Sequence, residues 1–247
     1  MYMDLTGKRA LVTGSSRGIG SAIAIGLAEG GADIVLHCAS RIEKAQEVKE
    51  KIERLGRRCE VFQADLCDPH NTDGVIEKIG PVDILVLNAS LQYRKKWEQI
   101  TLEEAYQQIN CNFVSSLRLI QQAVPAMREK HWGRIITIGS VQEAKPHPDM
   151  LVYSSTKAAQ TTMAKSLSLQ LAPDHITVNN VAPGVIYTDR NVEALSDEAY
   201  AKFVTSTIPL RYYGEKEDLA GIVRLLCSEE GRYITGQSIY VDGGKSL

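Results

Sequence analysis

Thr13-Gly14-Ser15-Ser16-Arg17-Gly18-Ile19-Gly20 joins the apolar run Arg9-Ala10-Leu11-Val12 to Ser21-Ala22-Ile23-Ala24-Ile25-Gly26-Leu27-Ala28, whose small and apolar residues suit a helix packed closely on a sheet. Strand, glycine-rich turn and helix in that order make a dinucleotide cradle. Gly14 allows the sharp turn, Gly18 lets backbone N–H groups approach a pyrophosphate, and Gly20 lets the helix pack tightly on the strand. The phosphates would lie at a helix N-terminus, where free N–H groups and the macrodipole favour negative charge.

With 247 residues, 44% of them hydrophobic, the chain can bury a large core. No Pro/Gly/Ser-rich linker, charge block or internal repeat divides it, so residues 1–247 are expected to form a single domain. A formal net charge of -2 provides no broad basic field for nucleic acid or an anionic membrane. The basic and aromatic run Tyr93-Arg94-Lys95-Lys96-Trp97 is too short to change that, and reads as part of a surface loop from Leu91 to Ile100. A small molecule is the expected partner. The N-terminal stretch lacks an apolar signal core, and no run approaches the roughly 20 apolar residues that span a bilayer, so a cytoplasmic location is expected. Cys38, Cys59, Cys67, Cys111 and Cys227 are scattered and never in C-x-x-C spacing, which argues against a disulfide framework and against a metal site.

Further apolar runs alternate with helical patterns: strands over Ala32–His37, Cys59–Ala64, Val82–Leu87, Gly133–Gly139, Ile176–Ala182 and Gln237–Val241, and helices from Arg41 to about Leu55, Asn71 to Lys78, Tyr153 to about Leu171 and Leu219 to Cys227. Apolar residues at helical spacing from Thr101 to Met127, through Leu102, Ala105, Ile109, Phe113, Leu117, Ile120 and Val124, predict one long core helix. The segment from Asp189 to Tyr213, with Arg190, Glu193, Tyr200, Arg211 and Tyr212, is the least strand-like and reads as a mobile substrate lid.

The second strand should end at the adenosine ribose. An acidic residue there would bond the 2′-hydroxyl and repel a 2′-phosphate. This chain has Cys38, and Arg17, Ser40 and Arg41 could all reach an added phosphate, so NADP(H) is favoured and NAD(H) remains possible.

Tyr153 and Lys157 stand four positions apart, one helical turn, and therefore share a helix face. When a hydride reaches a carbonyl carbon, negative charge builds on the oxygen and a positioned acid must neutralise it. A free phenol, with a pKa about 10, is a poor partner near neutrality, and an ammonium group beside it favours the phenolate.

The glycine spacing G-x-x-x-G-x-G with its leading Thr13, then Asn88-Ala89, Ser140 and Tyr153-x-x-x-Lys157, resembles the short-chain dehydrogenase/reductase family in its single-domain form. The resemblance runs from Gly7 to Gly244. It departs at Leu87 and Ser90, where the family usually shows N-N-A-G. It implies an α/β fold: one doubly wound Rossmann domain with a seven-stranded parallel sheet in the order 3-2-1-4-5-6-7 and helices on both faces. It further implies Tyr153 as acid-base, Lys157 as its partner and holder of the ribose hydroxyls, Ser140 as donor to the substrate oxygen, and Asn112 as anchor of a catalytic water. The cofactor would meet Gly14, Ser16, Arg17, Gly18, Ile19, Gly20, Ser40, Arg41, Asp65 and Leu66 at its adenosine and phosphate parts, and Asn88, Ala89, Tyr153, Lys157, Pro183, Gly184, Ile186 and Thr188 toward the nicotinamide. Ser140, Gln142, His147, Tyr153 and Tyr187 are the candidate substrate contacts, within a pocket segment that also carries Glu143 and Lys145. The family commonly builds tetramers, so a homotetramer (or homodimer) is expected.

The expected reaction interconverts a secondary alcohol and a ketone on a small polar substrate such as a polyol, sugar or sugar acid. The alternative is a 3-oxoacyl-[acyl-carrier-protein] reductase. Carrier-protein reductases that resemble this chain tend to carry Arg in the turns before the fifth and sixth strands, and here those places fall at His131 and Asp174, which offer an acidic carrier no attraction. A non-catalytic cofactor-sensing protein is the remote alternative, and an intact Ser140, Tyr153 and Lys157 argue against it.

Overall fold

Among the residues described by the computed structural model, 2–189 and 191–247, parallel strands β1 (Arg9–Val12), β2 (Asp33–Cys38), β3 (Cys59–Gln63), β4 (Ile84–Leu87), β5 (Gly133–Ile138) and β6 (Ile176–Pro183) pair in one sheet. The strands β7 (Ile186–Tyr187) and β8 (Gly214–Glu215) form a separate two-stranded sheet, and β9 (Ser238–Val241) completes the main one in the order β3-β2-β1-β4-β5-β6-β9. The seventh strand of the expected order is thus β9.

The reason for two covered faces is legible in the register. Val35, Leu11, Leu85, Ile135 and Val178 are successive partners across the sheet. All five join one core cluster, with Leu119, Ile120 and Met127 of α5 (Ser115–Glu129) and Met163 and Ala164 of α6 (Leu151–Leu171). Their neighbours Ala10, Val12, Ile34, Leu36, Ile84 and Val86 point the other way, into a second cluster with α1 (Gly18–Glu29), α2 (Ile42–Arg54) and α9 (Asp218–Cys227). Alternate side chains therefore feed opposite faces, and both faces need helices.

The order reverses between β1 and β4, each followed by a loop toward the same end. Gly14, with φ +62, lies so close to the β4 loop that an added Cβ would stand 2.9 Å from Ala89 Cα. Thr13 binds the two loops: its Oγ1 accepts the N–H groups of Asn88 and Ala89 at 2.9 and 3.0 Å, and Asn88 Nδ2 donates back to the carbonyls of Thr13 and Gly14.

Two helices differ from expectation. The stretch Thr101–Met127 is not one core helix: α4 (Leu102–Ile109) starts on a Thr101/Glu104 capping box, a π turn follows over Asn110–Val114, and only then does α5 begin. The wider turn rotates the following helix relative to the preceding one. In consequence Leu102, expected in the core, is 76% exposed, Tyr106 and Ile109 are also exposed, and Gln108 is buried. The helix expected from Asn71 to Lys78 is a 3-10 turn, Pro69–Thr72, separated by Gly74 from the short α3 (Val75–Ile79).

Residues 189–213 carry α7 (Val192–Leu195) and α8 (Glu198–Ser206), and Arg190, counted in the expected lid, lies outside the described residues. Among the described residues no helix is long and apolar enough to cross a membrane, and no group of three or more His, Cys, Asp or Glu gathers as for a metal ion.

Candidate active site

A cleft of about 950 Å³ opens at the carboxyl ends of the strands, where the sheet order reverses. The glycine turn forms one wall through Gly14, Ser16, Arg17, Gly18, Ile19 and Gly20. His37, near the end of β2, latches that turn in place. Its Nδ1 accepts the Gly14 N–H at 3.0 Å and its Nε2 donates to the Ala64 carbonyl at 2.9 Å. Its backbone N–H meets Ser15 Oγ at 3.0 Å while its carbonyl accepts the Ser15 N–H at 2.9 Å. Burial pushes the imidazole below its ordinary value, against the opposing pull of the Ala64 carbonyl and the Asp65 carboxylate. The pairing fixes a neutral ring with its proton on Nε2. The sequence did carry a signal for this residue: a histidine at the end of the run Ile34-Val35-Leu36 is a buried polar group needing two partners.

No side chain of the described residues caps α1. Gly18 lines the cleft with φ +57, and a Cβ added there would meet only the Thr188 side chain, at 3.7 Å. Open helix N–H donors beside a glycine wall suit a pyrophosphate. The residues present therefore fit a dinucleotide.

Asp65 and Leu66, after β3, line the cleft, and Asp65 Oδ1 accepts the Cys67 N–H at 2.9 Å. Asn88, Ala89, Pro183, Gly184, Ile186 and Thr188 line it as well. Ser40 and Arg41 do not. Strand β2 runs on to Cys38, and the two residues sit exposed in the turn that starts α2, beyond Cys38 and Ala39, which do face the cleft. Arg17 pairs with Asp189 at 3.2 Å, and both side chains are substantially exposed.

Ser140, at the end of β5, and Tyr153 and Lys157, on one face of α6, all line the cleft and are all buried. Ser140 Oγ accepts the Gln142 N–H at 3.2 Å, opening a 3-10 turn. Lys157 Nζ donates to the Ile138 carbonyl at 2.7 Å and to Gln160 Oε1 at 2.9 Å, and stands 5.7 Å from the centre of the Tyr153 ring. Gln160 Nε2 donates to Ser116 Oγ at 3.1 Å, which donates to the Asn112 carbonyl at 3.1 Å. A buried polar chain thus runs from Lys157 to the backbone of Asn112. Gln160 and Ser116 were not among the sequence candidates, and two polar residues on otherwise core-facing helix positions were the available signal.

Asn112 does not line the cleft. It lies in the π turn, fully buried, and its side chain accepts the Leu91 N–H at 2.8 Å while donating to the Leu91 carbonyl and Thr156 Oγ1, both at 2.9 Å. These bonds pin the loop that follows β4 to α6.

Gln142 and His147 line the cleft, whereas Glu143, Lys145 and Tyr187 do not. Gln142 Oε1 is held by the His147 N–H at 2.7 Å and by Ser154 Oγ at 3.1 Å. Glu143 faces away, its carboxylate accepting from Thr161 Oγ1, Asn180 Nδ2 and Ser238 Oγ. In β7 the two side chains alternate, so Ile186 is buried and Tyr187 turns outward to stack on Tyr213 with ring centres 5.6 Å apart.

A profile described as short chain dehydrogenase matches residues 8–199. The chain belongs to the short-chain dehydrogenase family. It is 38% identical over 241 residues to a 3-oxoacyl-[acyl-carrier-protein] reductase of Staphylococcus aureus, with 96% of this chain and 97% of that protein covered. Among solved structures it resembles a 3-oxoacyl (acyl-carrier-protein) reductase of Agrobacterium tumefaciens with NADP bound (TM-score 0.94, 35% identity, 98% and 95% of the two chains). It also resembles the L-sorbose reductase of Gluconobacter frateurii in complex with NADPH and L-sorbose (TM-score 0.94, 32% identity, 99% and 98%). The family membership and the three cleft-facing residues Ser140, Tyr153 and Lys157 together mark an oxidoreductase acting on CH–OH groups.

Proposed function

We propose that the whole chain acts as one NADP(H)-dependent unit that interconverts a secondary alcohol and a ketone on a small polar substrate. The observation that carries this reading is the convergence of Ser140, Tyr153 and Lys157 with the glycine turn on a single cleft. NADP(H) over NAD(H) is supported by the absence of a carboxylate at His37, Cys38 and Ala39, the described residues of the β2 end that face the cleft, and by the NADP and NADPH in the two solved relatives. Arg17 is the residue of this chain that would meet a 2′-phosphate, because its exposed pairing with Asp189 is a weak surface contact that a phosphate can displace.

A bound nicotinamide would give or take the hydride at the substrate carbon. In the oxidative direction the substrate C–H electron pair leaves as that hydride and the hydroxyl proton passes to the Tyr153 oxygen. In the reductive direction Tyr153 returns the proton to the growing alkoxide while Ser140 donates to the same oxygen. Lys157, fixed by Ile138 and Gln160, places its ammonium beside the phenol, and Gln160 is held in turn by Ser116, which donates to the Asn112 carbonyl.

Gln142 and His147 line the cleft as hydrogen-bonding groups, which supports a small hydroxylated substrate. A second reading, reduction of a 3-oxoacyl group on a carrier protein, is favoured by the names of the S. aureus and A. tumefaciens relatives. Against it, Asp174 neutralises Arg128 through a 2.7 Å contact, and His131 lies beside His175 rather than offering a fixed cation, which leaves little to attract an acidic carrier. Exposed Leu102, Tyr106 and Ile109 on α4 and Leu151 and Leu169 on α6 support assembly into a homotetramer or homodimer, and a cytoplasmic location suits such an enzyme. A comparison of kcat/KM for small polyols, sugars and sugar acids with that for a 3-oxoacyl thioester tests the reading. Faster turnover of a small hydroxylated compound is expected, and a clear preference for the thioester overturns it.

A further inference from the structure

Arg94, on the loop after β4, and Lys245, just beyond β9, both line the cleft. Among the described lining residues the carboxylates are Asp65 and Asp189: the first sits after β3 and accepts the Cys67 N–H, and the second engages Arg17. Neither cation thus has a carboxylate partner in the cleft wall.

Their partners elsewhere leave charge to spare. Arg94 Nε stands 3.8 Å from Asp149 Oδ2, with both side chains over a third exposed, so the pair is loose and easily exchanged. Lys245 Nζ donates to the neutral Thr207 hydroxyl at 2.6 Å. Burial and the nearby Lys145 both disfavour its charge, and Asp242 offsets them only in part. The two Asp242 oxygens are turned to the backbone N–H groups of Gly244 and Ser246. An ammonium desolvated beside a second cation gains most from an arriving anion. With Asp149 and Asp242 taking part of the two charges, a single negative charge completes the balance better than a dianion.

We propose that the substrate carries a carboxylate, held by Lys245 and Arg94 while Ser140 and Tyr153 hold the reacting oxygen. The substrate class is a small hydroxy acid and its oxo acid. This inference rests on the oxidoreductase reading above. Planar bidentate donors on Arg94 and a point charge on Lys245 suit the two oxygens of one carboxylate.

The test is kcat/KM with NADP⁺ over four- to six-carbon aldonic acids, their primary amides, the matching alditols and an alditol phosphate. The acid is expected to exceed its amide and its alditol by at least about 10-fold, as for hydrogen bonds to a charged group. Lys245→Met and Arg94→Met should each reduce that ratio about 10-fold, mainly through KM, and Lys245→Arg should keep most of it. A ratio near 1 in the parent protein, a ratio untouched by both Met variants, or a preference for the phosphate overturns the inference while the alcohol-ketone reading stands. Absence of turnover with every hydroxylated compound overturns that reading, and the inference with it.

Discussion

Lys157 and Gln160 are bonded at 2.9 Å between Nζ and Oε1 on adjacent turns of α6, each almost wholly buried. A buried ammonium needs its acceptors fixed, and this amide is fixed in turn by Ser116. Gln160→Leu is therefore expected to lower kcat about 10-fold and to change its pH profile, because Lys157 loses an oriented acceptor. The melting temperature should fall as well. An unchanged pH profile alongside a lowered melting temperature would leave Gln160 with a purely structural role.

In the proposed reaction Tyr153 exchanges a proton with the substrate oxygen. Tyr153→Phe should lower kcat by roughly 100- to 10,000-fold, the range for a positioned acid-base group, while cofactor affinity measured by fluorescence titration is retained. Near-normal turnover would remove Tyr153 from the chemistry.

A 2′-phosphate that displaces Asp189 from Arg17 gains a guanidinium partner that a bare ribose cannot use. Arg17→Ala should narrow the preference for NADP(H) over NAD(H) by about 1 to 3 kcal/mol, and Asp189→Asn should widen it. Arg41→Ala, at an exposed residue outside the cleft, should matter less than Arg17→Ala. Equal affinities for the two cofactors in the parent protein would contradict the assignment.

His37 titrates lower in the folded chain than in the unfolded one, where its ordinary value is 6.5. Between those two values the unfolded chain binds the extra proton. Stability associated with this ring is thus complete above about pH 6.5 and declines as the pH falls toward the folded value. Below that point a protonated Nδ1 cannot accept the Gly14 N–H, so cofactor affinity should weaken at lower pH than stability begins to fall. Thermal denaturation and cofactor titration followed downward from about pH 7.5 check this, and His37→Asn should flatten both dependences.

The strands were legible because both faces of the sheet are covered, which leaves near-continuous apolar runs such as Ile84-Leu85-Val86-Leu87. Tyr153 and Lys157 were legible because a helix turn brings fourth neighbours together. The break at Asn110–Val114 was not, since the local spacing stays helical and the turn is held by Asn112 reaching Leu91, a contact 21 residues apart in sequence. Strand β2 runs one residue past its expected end, to Cys38, which leaves Ser40 and Arg41 outside the cleft lining, and β7 and β8 are too short for any periodicity to show.

The π turn ties the interior to the surface in one backbone detour. Removing a single residue from Asn110–Val114 would let α4 and α5 merge into a regular helix, turning Leu102, Tyr106 and Ile109 to a new azimuth and withdrawing Asn112 from Leu91. A one-codon deletion would therefore alter the outward apolar stripe and the cleft-lining loop after β4 in the same event. The exposed apolar stripe of α4 and the shape of the cleft cannot drift independently at this point of the chain.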